Sequence, residues 1–329
     1  KRQLDKKLLT SYNGNTITYD AIGNPLNWGT DISDMHWNNG RRLTYLQKRT
    51  NMISYAYDET GLRTEKSTNT NRTYFDRDAS GNLVHEFRDY SGYLGEDSHL
   101  YYYYDANGNI GSISDNGVRY AFLKNLQGDV IVILDTSGNV VARYTYDAWG
   151  KVLSVTDANG NANTSSTFIG NVNPIRYRGY YYDTETGWYY LNSRYYDPEI
   201  KRFINADGII GANGVFTGYN LFAYCNNNPV TFCDPTGRAC HINDLGGVSN
   251  YLTELMDKYN FHKVVTKERT VVSIVDKSIV DKFQNGYVWV VQLHALYKIM
   301  DEKDSSPEDA VMITLNKNIR LQKATEMVC

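Results

Sequence analysis

Proline is scarce in this chain, with 6 among 329 residues, and cysteine is scarcer, with 4. So few cysteines exclude a disulfide scaffold. Cys225, Cys233, Cys240 and Cys329 form no C-x-x-C pair of the kind that grips zinc. They read as small buried hydrophobes, with a single disulfide as the lesser alternative. No apolar run approaches the roughly 18 residues that cross a bilayer, so no transmembrane segment is expected. Positive charge is not in excess: 34 Lys and Arg face 37 Asp and Glu, a net charge of −3. That balance argues against a broad electrostatic grip on nucleic acid. The chain opens on Lys1 with no apolar leader, and reads as a piece of a longer protein whose targeting signal lies elsewhere.

Tyrosine and glycine are abundant, with 29 Tyr against 10 Phe, and 26 Gly. Tyrosine suits half-buried strand surfaces, having an apolar ring and a wet hydroxyl. The tyrosines recur in a repeat: "ITYDAIGNPLNW" from Ile17, "SYAYDETGLRTEK" from Ser54, "TYFDRDASGNLVHEF" from Thr73, "YYYYDANGNIGSI" from Tyr101, and two copies from Val132. Each unit is an alternating run that ends at Asp, then a short loop with Gly, then a second run. The Asp carboxylate accepts from backbone amides two residues on, and Gly supplies the positive φ that reverses the chain. Each unit is therefore a β-hairpin. Tyr55 with Tyr57, and Tyr144 with Tyr146, share one face at period two. A lone hairpin is marginal, so the array should form one long coiled antiparallel sheet that closes or wraps to hide its edges.

The stretches from Asp105 and Asp157 space oxygens as a calcium loop does, but neither has the closing glutamate of an EF-hand. They read as turns, and no metal or cofactor is expected. His36, His85 and His99 stand singly and read as strand or turn residues. Trp28, Trp37, Trp149 and Trp188 read as core.

Across residues 12–238 the chain resembles the YD-repeat proteins, which include Rhs proteins, the shell subunits of Tc toxins, and teneurins. The most specific match is "IRYRGYYYDTETGWYYLNSRYYDPEIKRFINADG" followed by "NLFAYCNNNPVTFCDPTGR", which looks like the RHS repeat-associated core. The resemblance implies a mainly β protein: a YD-repeat hairpin shell over 1–170, the RHS core over 171–238, and a variable small α+β domain over 239–329. It implies that the shell sequesters its own C-terminal segment as cargo. It also implies an aspartyl-protease-like pair at Asp207, in "RFINADG", and Asp234, in "CDPTGR". Arg202 matches a basic residue near that pair, and the cut would fall between Arg238 and Ala239. Asp207 stands before Gly208 where the family usually has proline, and the spacing to Asp234 carries extra residues.

Composition changes at that point. Residues 239–329 hold 4 of the 29 Tyr and 3 of the 26 Gly, but 12 Val. Helices are expected from Ser249 and from Ser306, where Pro307, Glu308 and Asp309 mark a helix start. Strands are expected at "TVVSIV" and "YVWVVQLHAL". The 11 Lys and Arg against 12 Asp and Glu give this segment no basic signature.

Two functions are expected to compete. One is a secreted toxin shell that holds a C-terminal effector, releases it by self-cleavage, and has an immunity protein as a further partner. The other is a cell-surface structural or adhesive protein that binds carbohydrate or a protein partner and whose tail is inactive. Intact mass of the chain separates them: a cut after Arg238 is expected for the first and a whole chain for the second.

Overall fold

A computed structural model describes residues 8–90, 96–106, 108–208 and 220–242, with three short strands beyond at 262–265, 270–274 and 311–312. The chain falls into two units, Lys1–Ile242 and Asn243–Cys329. The first is dominated by a 12-stranded antiparallel sheet in which every strand pairs with its sequence neighbours. Its strands are β1 (Ile32–Asn38), β2 (Arg42–Lys48), β3 (Asn51–Tyr57), β4 (Arg63–Ser67), β5 (Arg72–Arg77), β6 (Leu83–Asp89), β7 (Ser98–Tyr104), β8 (Ile110–Asp115), β9 (Val118–Lys124), β10 (Val130–Leu134), β11 (Val140–Tyr146) and β12 (Val152–Thr156). The chain is thus mainly β, as the repeats predict.

The Asp-x-x-Gly loops share one geometry. In the loop after β11, the Asp147 N–H donates to the Lys151 carbonyl at 3.0 Å and Gly150 N–H to the Asp147 carbonyl at 3.1 Å. The amides of Trp149 and Lys151 then donate to Asp147 Oδ1 at 2.8 and 2.9 Å. Gly150 has φ +89°, and a Cβ there would meet the Tyr177 ring at 2.5 Å. The loops from Asp105 and Asp157 bond in the same pattern.

Strict alternation holds only on the outgoing strands, where Ile53 and Tyr55, or Leu100 and Tyr102, are buried. The returning strands carry a bulge just past the turn. Tyr57 faces Arg63, Arg77 faces Leu83, and Tyr146 faces Val152, each beside a register slip. The extra residue moves the next inward position to three along, so Leu43 and Leu46, Arg63 and Lys66, and Leu83 and Glu86 are the buried pairs. The tyrosine before three of the turns has a use here. Tyr57, Tyr104 and Tyr146 donate their hydroxyls to the carbonyls of Leu43, Leu83 and Val130 at 2.8, 2.9 and 2.8 Å. Each acceptor sits at the bulge of an earlier returning strand. Phenylalanine at these three positions would leave that carbonyl without this bond.

Among the described residues β1 and β12 do not pair with each other. Their edges are covered instead by neighbouring chain: Met35 N–H bonds the Leu26 carbonyl at 3.0 Å, and Asn163 N–H bonds the Val155 carbonyl at 3.3 Å. The sheet therefore hides its edges by cover rather than by closure.

The sheet's inner face packs against the segment from Ile169 onward in one hydrophobic core. That segment forms a small sheet of β13 (Tyr181–Asp183), β14 (Trp188–Tyr190), β15 (Tyr195–Asp197) and β16 (Arg202–Phe203). Trp28 and Trp188 are buried, as expected, and both donate to Asp197 Oδ2, at 2.7 and 3.1 Å. A buried ion cluster ties the two sheets. Arg63 NH1 meets Asp183 Oδ2 at 2.6 Å, and Lys66 Nζ meets Asp183 Oδ1 at 3.0 Å. Burial opposes charge on Arg63 and on Asp183, but each outweighs it for the other: Arg63 is held well above, and Asp183 below, its ordinary pKa.

His85 and His99 are not solitary. The pairing of β5, β6 and β7 brings His85 Nδ1 to 2.8 Å from Asp76 Oδ2, and His85 Nε2 to 3.0 Å from His99 Nδ1. Sequence spacing cannot show this, because the contact crosses strands. In the second unit, His262–Val265, Thr270–Ile274 and Val311–Met312 form a three-stranded antiparallel sheet. Thr270–Ile274 realises the expected "TVVSIV" strand. Val311 and Met312 were expected in the helix from Ser306, but they pair with Ile274 and Ser273. Tertiary pairing there overrides a local start signal. The helix from Ser249 and the strand "YVWVVQLHAL" lie outside the described residues.

Asp183→Asn should cost the first unit about 3–5 kcal/mol, because it leaves two buried cations short of a counter-charge. Lys151→Ala, which breaks the exposed Lys151–Glu199 pair (2.6 Å), should cost far less, because water and salt screen that pair. Denaturant unfolding monitored by tryptophan fluorescence compares them. Equal effects would remove the cluster from this account.

Candidate active site

Two pieces of chain converge near the end of the first unit. One is the turn between β14 and β15. The other is the segment after β17 (Phe232–Cys233), which pairs with β18 (His241–Ile242) through Phe232 with Ile242 and Cys233 with His241. The residues between these two short strands are those of the expected cut.

Asp234 is buried, with a side chain 1% exposed, and Asp207 is 17% exposed. Arg194 joins them: its NH2 lies 3.0 Å from Asp207 Oδ2 and 3.3 Å from Asp234 Oδ2. The same guanidinium donates to the carbonyls of Gly237 and Leu221, and lies 3.6 Å over the Phe203 ring. The other oxygen of Asp234, Oδ1, accepts from Arg238 N–H at 3.0 Å and from Ala239 N–H at 3.2 Å. These are the residues on either side of the expected scissile bond. The Asp234 N–H donates in turn to the Tyr180 hydroxyl at 3.0 Å, and the Tyr224 hydroxyl donates to Tyr180 at 3.3 Å.

The turn fits only one way. Ser193 N–H and Oγ–H both donate to the Thr236 carbonyl, at 3.1 and 2.7 Å. Gly237 has φ +68°, and a Cβ there would fall 2.7 Å from the Leu191 carbonyl. Asp-Pro-x-Gly therefore needs its glycine for close approach as well as for the turn. A cleft of about 290 Å³ opens beside the bond, lined by Arg41, Asn192, Arg194, Asp207, Gly237 and Arg238 among others. It has room for water.

Burial pushes the Asp234 carboxyl above its ordinary pKa. Arg194 and the amides of Ala239 and Arg238 act against that shift, and the Asp207 charge adds to it. A buried carboxyl pushed up in pKa, with a second, more open carboxyl held to the same guanidinium, has the layout of an acid–base pair.

Asp207, Asp234, Arg238 and Ala239 lie together around the Arg194 guanidinium and the Asp234 carboxyl. Arg202 sits on β16, paired with Asp197, with its guanidinium 4.7 Å over the Phe222 ring. Burial lowers its pKa. The guanidinium that bridges the carboxylates belongs to Arg194, which sequence reasoning passed over. Its one signal was its place in "LNSRYYDP", where it stands between small polar residues and a buried tyrosine pair. Among the described residues no group of three or more His, Cys, Asp and Glu is arranged to hold a metal ion. No helix among them is long and apolar enough to cross a membrane.

The fold is that of a YD-repeat shell with a core segment packed on its inner face. The family profile of the teneurin YD-shell matches residues 10–230, and the chain belongs to that family. The tRNA3(Ser)-specific nuclease WapA of Bacillus spizizenii is 37% identical over 233 residues, covering 70% of this chain and 9% of its own. The double-stranded DNA deaminase toxin A of Burkholderia cenocepacia is 39% identical over 107 residues, 32% of this chain and 7% of its own. The solved structure of TcdB2-TccC3-Cdc42 has the same fold: 24% identity, 67% of this chain, 11% of that chain, and a TM-score of 0.54. This chain thus spans only about a tenth of these relatives.

Arg194→Met should cost about 3–5 kcal/mol at pH 7, because it strands a buried carboxylate. A carboxyl whose folded pKa is raised favours folding most when protonated, and that contribution is lost as pH rises through the folded value. The Arg194→Met penalty should therefore shrink toward pH 4. Unfolding curves at the two pH values test this; an equal loss at both would contradict it.

Proposed function

We propose that this chain is the cargo-bearing part of a toxin shell delivered outside the producing cell, and that it cuts itself between Arg238 and Ala239. Residues 239–329 are the cargo, and an immunity protein would guard the producer. The observation that carries the reading is the double role of Asp234. One oxygen accepts the amides on both sides of the bond, and the other shares Arg194 with Asp207.

In this reading Asp207, open to the cleft, takes a proton from water as it attacks the Arg238 carbonyl carbon. Asp234, protonated, gives its proton to the Ala239 nitrogen as the C–N bond breaks. The products are the Arg238 carboxyl and the Ala239 amine. Arg194 holds both carboxyls in place and offsets charge as the proton moves. The relatives fit a shared shell with exchangeable cargo: one is named for tRNA cleavage, another for DNA deamination. The family match ends at residue 230, just before the composition changes.

Intact mass of the purified full-length protein tests this. The parent should give two fragments that meet at Arg238 and Ala239, while Asp207→Asn and Asp234→Asn each stay whole. The rate should fall as pH rises through the raised Asp234 pKa, since the general acid is then lost. A parent that stays whole, or variants that still cut, would overturn the reading.

A further inference from the structure

The residue before Asp207 is held from both sides. Ala206 is buried. Its N–H donates to the Gly23 carbonyl at 3.3 Å, and the next amide, Asp207 N–H, donates to the Leu221 carbonyl at 2.8 Å. The Ala206 carbonyl accepts from Arg41 Nη1 at 2.7 Å, and the same nitrogen donates to the Ile22 carbonyl at 3.1 Å. Both hydrogens of that nitrogen are thus used. Arg41 stands in the turn between β1 and β2, so its bond to Ala206 joins the first hairpin of the long sheet to the core segment across 165 residues. That turn is itself pinned: the buried Asn24 side chain donates to the Gly40 carbonyl at 2.6 Å and to Asp20 Oδ2 at 2.7 Å. Arg41, Asp207 and Gly208 line the same cleft. Glycine restrains a backbone least, so Gly208 does little to fix Asp207 from its far side. The restraint comes from Ala206 and from the Asp207 amide. A bond from a charged donor is stronger than one from a neutral donor, which makes Arg41 the firmest of these holds.

We propose that Arg41 is a positioning residue for the cut: it holds the Ala206–Asp207 peptide in place for the Asp207 carboxyl, and it makes the cut wait until the sheet and the core segment have come together. Arg194 fixes one oxygen of that carboxyl, and Arg41 fixes the backbone that carries it. Proton transfer needs this placement, since a displacement of about 1 Å can cost about a hundredfold in rate. Until the β1–β2 turn has met Ala206, Asp207 lacks the hold, so a chain still being made does not cut early. This role rests on the cleavage reading above. The anchor itself does not.

The test has two readouts on the full-length protein. The first is the rate at which the two fragments appear once cell-free synthesis is stopped, followed by mass at timed intervals. Arg41→Met should slow the cut by about ten- to a hundredfold. Arg41→Lys, whose ammonium can still donate to both carbonyls, should recover part of the rate. Arg42→Met is the control: one residue along, it removes bonds of the same kind, to the Asp58 and Glu59 carbonyls at 3.0 and 3.2 Å. It should lower the urea midpoint to a similar degree and leave the rate nearly unchanged. The second readout is hydrogen exchange at the Ala206 and Asp207 amides in an Asp234→Asn background. Arg41→Met should speed both, and Arg42→Met neither. A cut as fast in Arg41→Met as in the parent, an equal loss of rate in Arg42→Met, or no recovery in Arg41→Lys would overturn the positioning role. Exchange indifferent to Arg41 would overturn the anchor. A parent that never cuts would sink the cleavage reading, and the positioning role with it, while faster exchange in Arg41→Met would leave the anchor standing.

Discussion

The contact on which the rest depends is the buried ion cluster of Arg63, Lys66 and Asp183. The inner face of the long sheet is mostly aliphatic and aromatic, with Glu86 as a further buried charge, and hydrophobic contact has no preferred register. Charges buried at these distances do: a shift of one residue would strand them in a low dielectric. Arg63 is also ringed by Tyr55, Phe75, Tyr181 and Tyr190, with its guanidinium 4.4–5.5 Å from each ring centre. The cluster fixes β13 on the sheet. β14 and β15 then follow by strand pairing, and the turn between them carries Arg194 to the two aspartates. The site is thus set by contacts far from it.

Much of this was legible in the sequence, because the repeats act locally. The Asp carboxylate, the Gly with positive φ and the alternating run lie within a dozen residues, so the hairpins and their order could be read directly. The bulges could not. A bulge leaves no residue type of its own, and it turned "RTEKS" from an exposed strand into one that buries Arg63 and Lys66. Asp183 is 120 residues from Arg63, and nothing in either neighbourhood marks the other. The same limit explains Arg194. It is one of 34 cationic residues, and what sets it apart is only what folding places around it. The two aspartates were found through the family resemblance, because Asp-Pro-x-Gly by itself is an ordinary turn. Arg202, carried over from the family resemblance, lies on a strand whose pairing sets its guanidinium over Phe222.

The chemistry at Asp234 is a contest between burial and charge. Burial favours the neutral acid; Arg194 and two backbone amides favour the anion. A carboxyl balanced this way can hold a proton and then give it up, which a fully exposed one in the ordinary range does poorly near neutral pH.

The central claim is that the ion cluster holds the core segment so that Asp234 grips the bond to be cut. Hydrogen exchange at the Arg238 and Ala239 amides tests it most directly, measured in an Asp207→Asn background that stays whole. The account predicts that both amides exchange far more slowly than in an unstructured chain, and that adding Asp183→Asn speeds both. Exchange at the unprotected rate in the whole chain, or protection indifferent to Asp183, would contradict it.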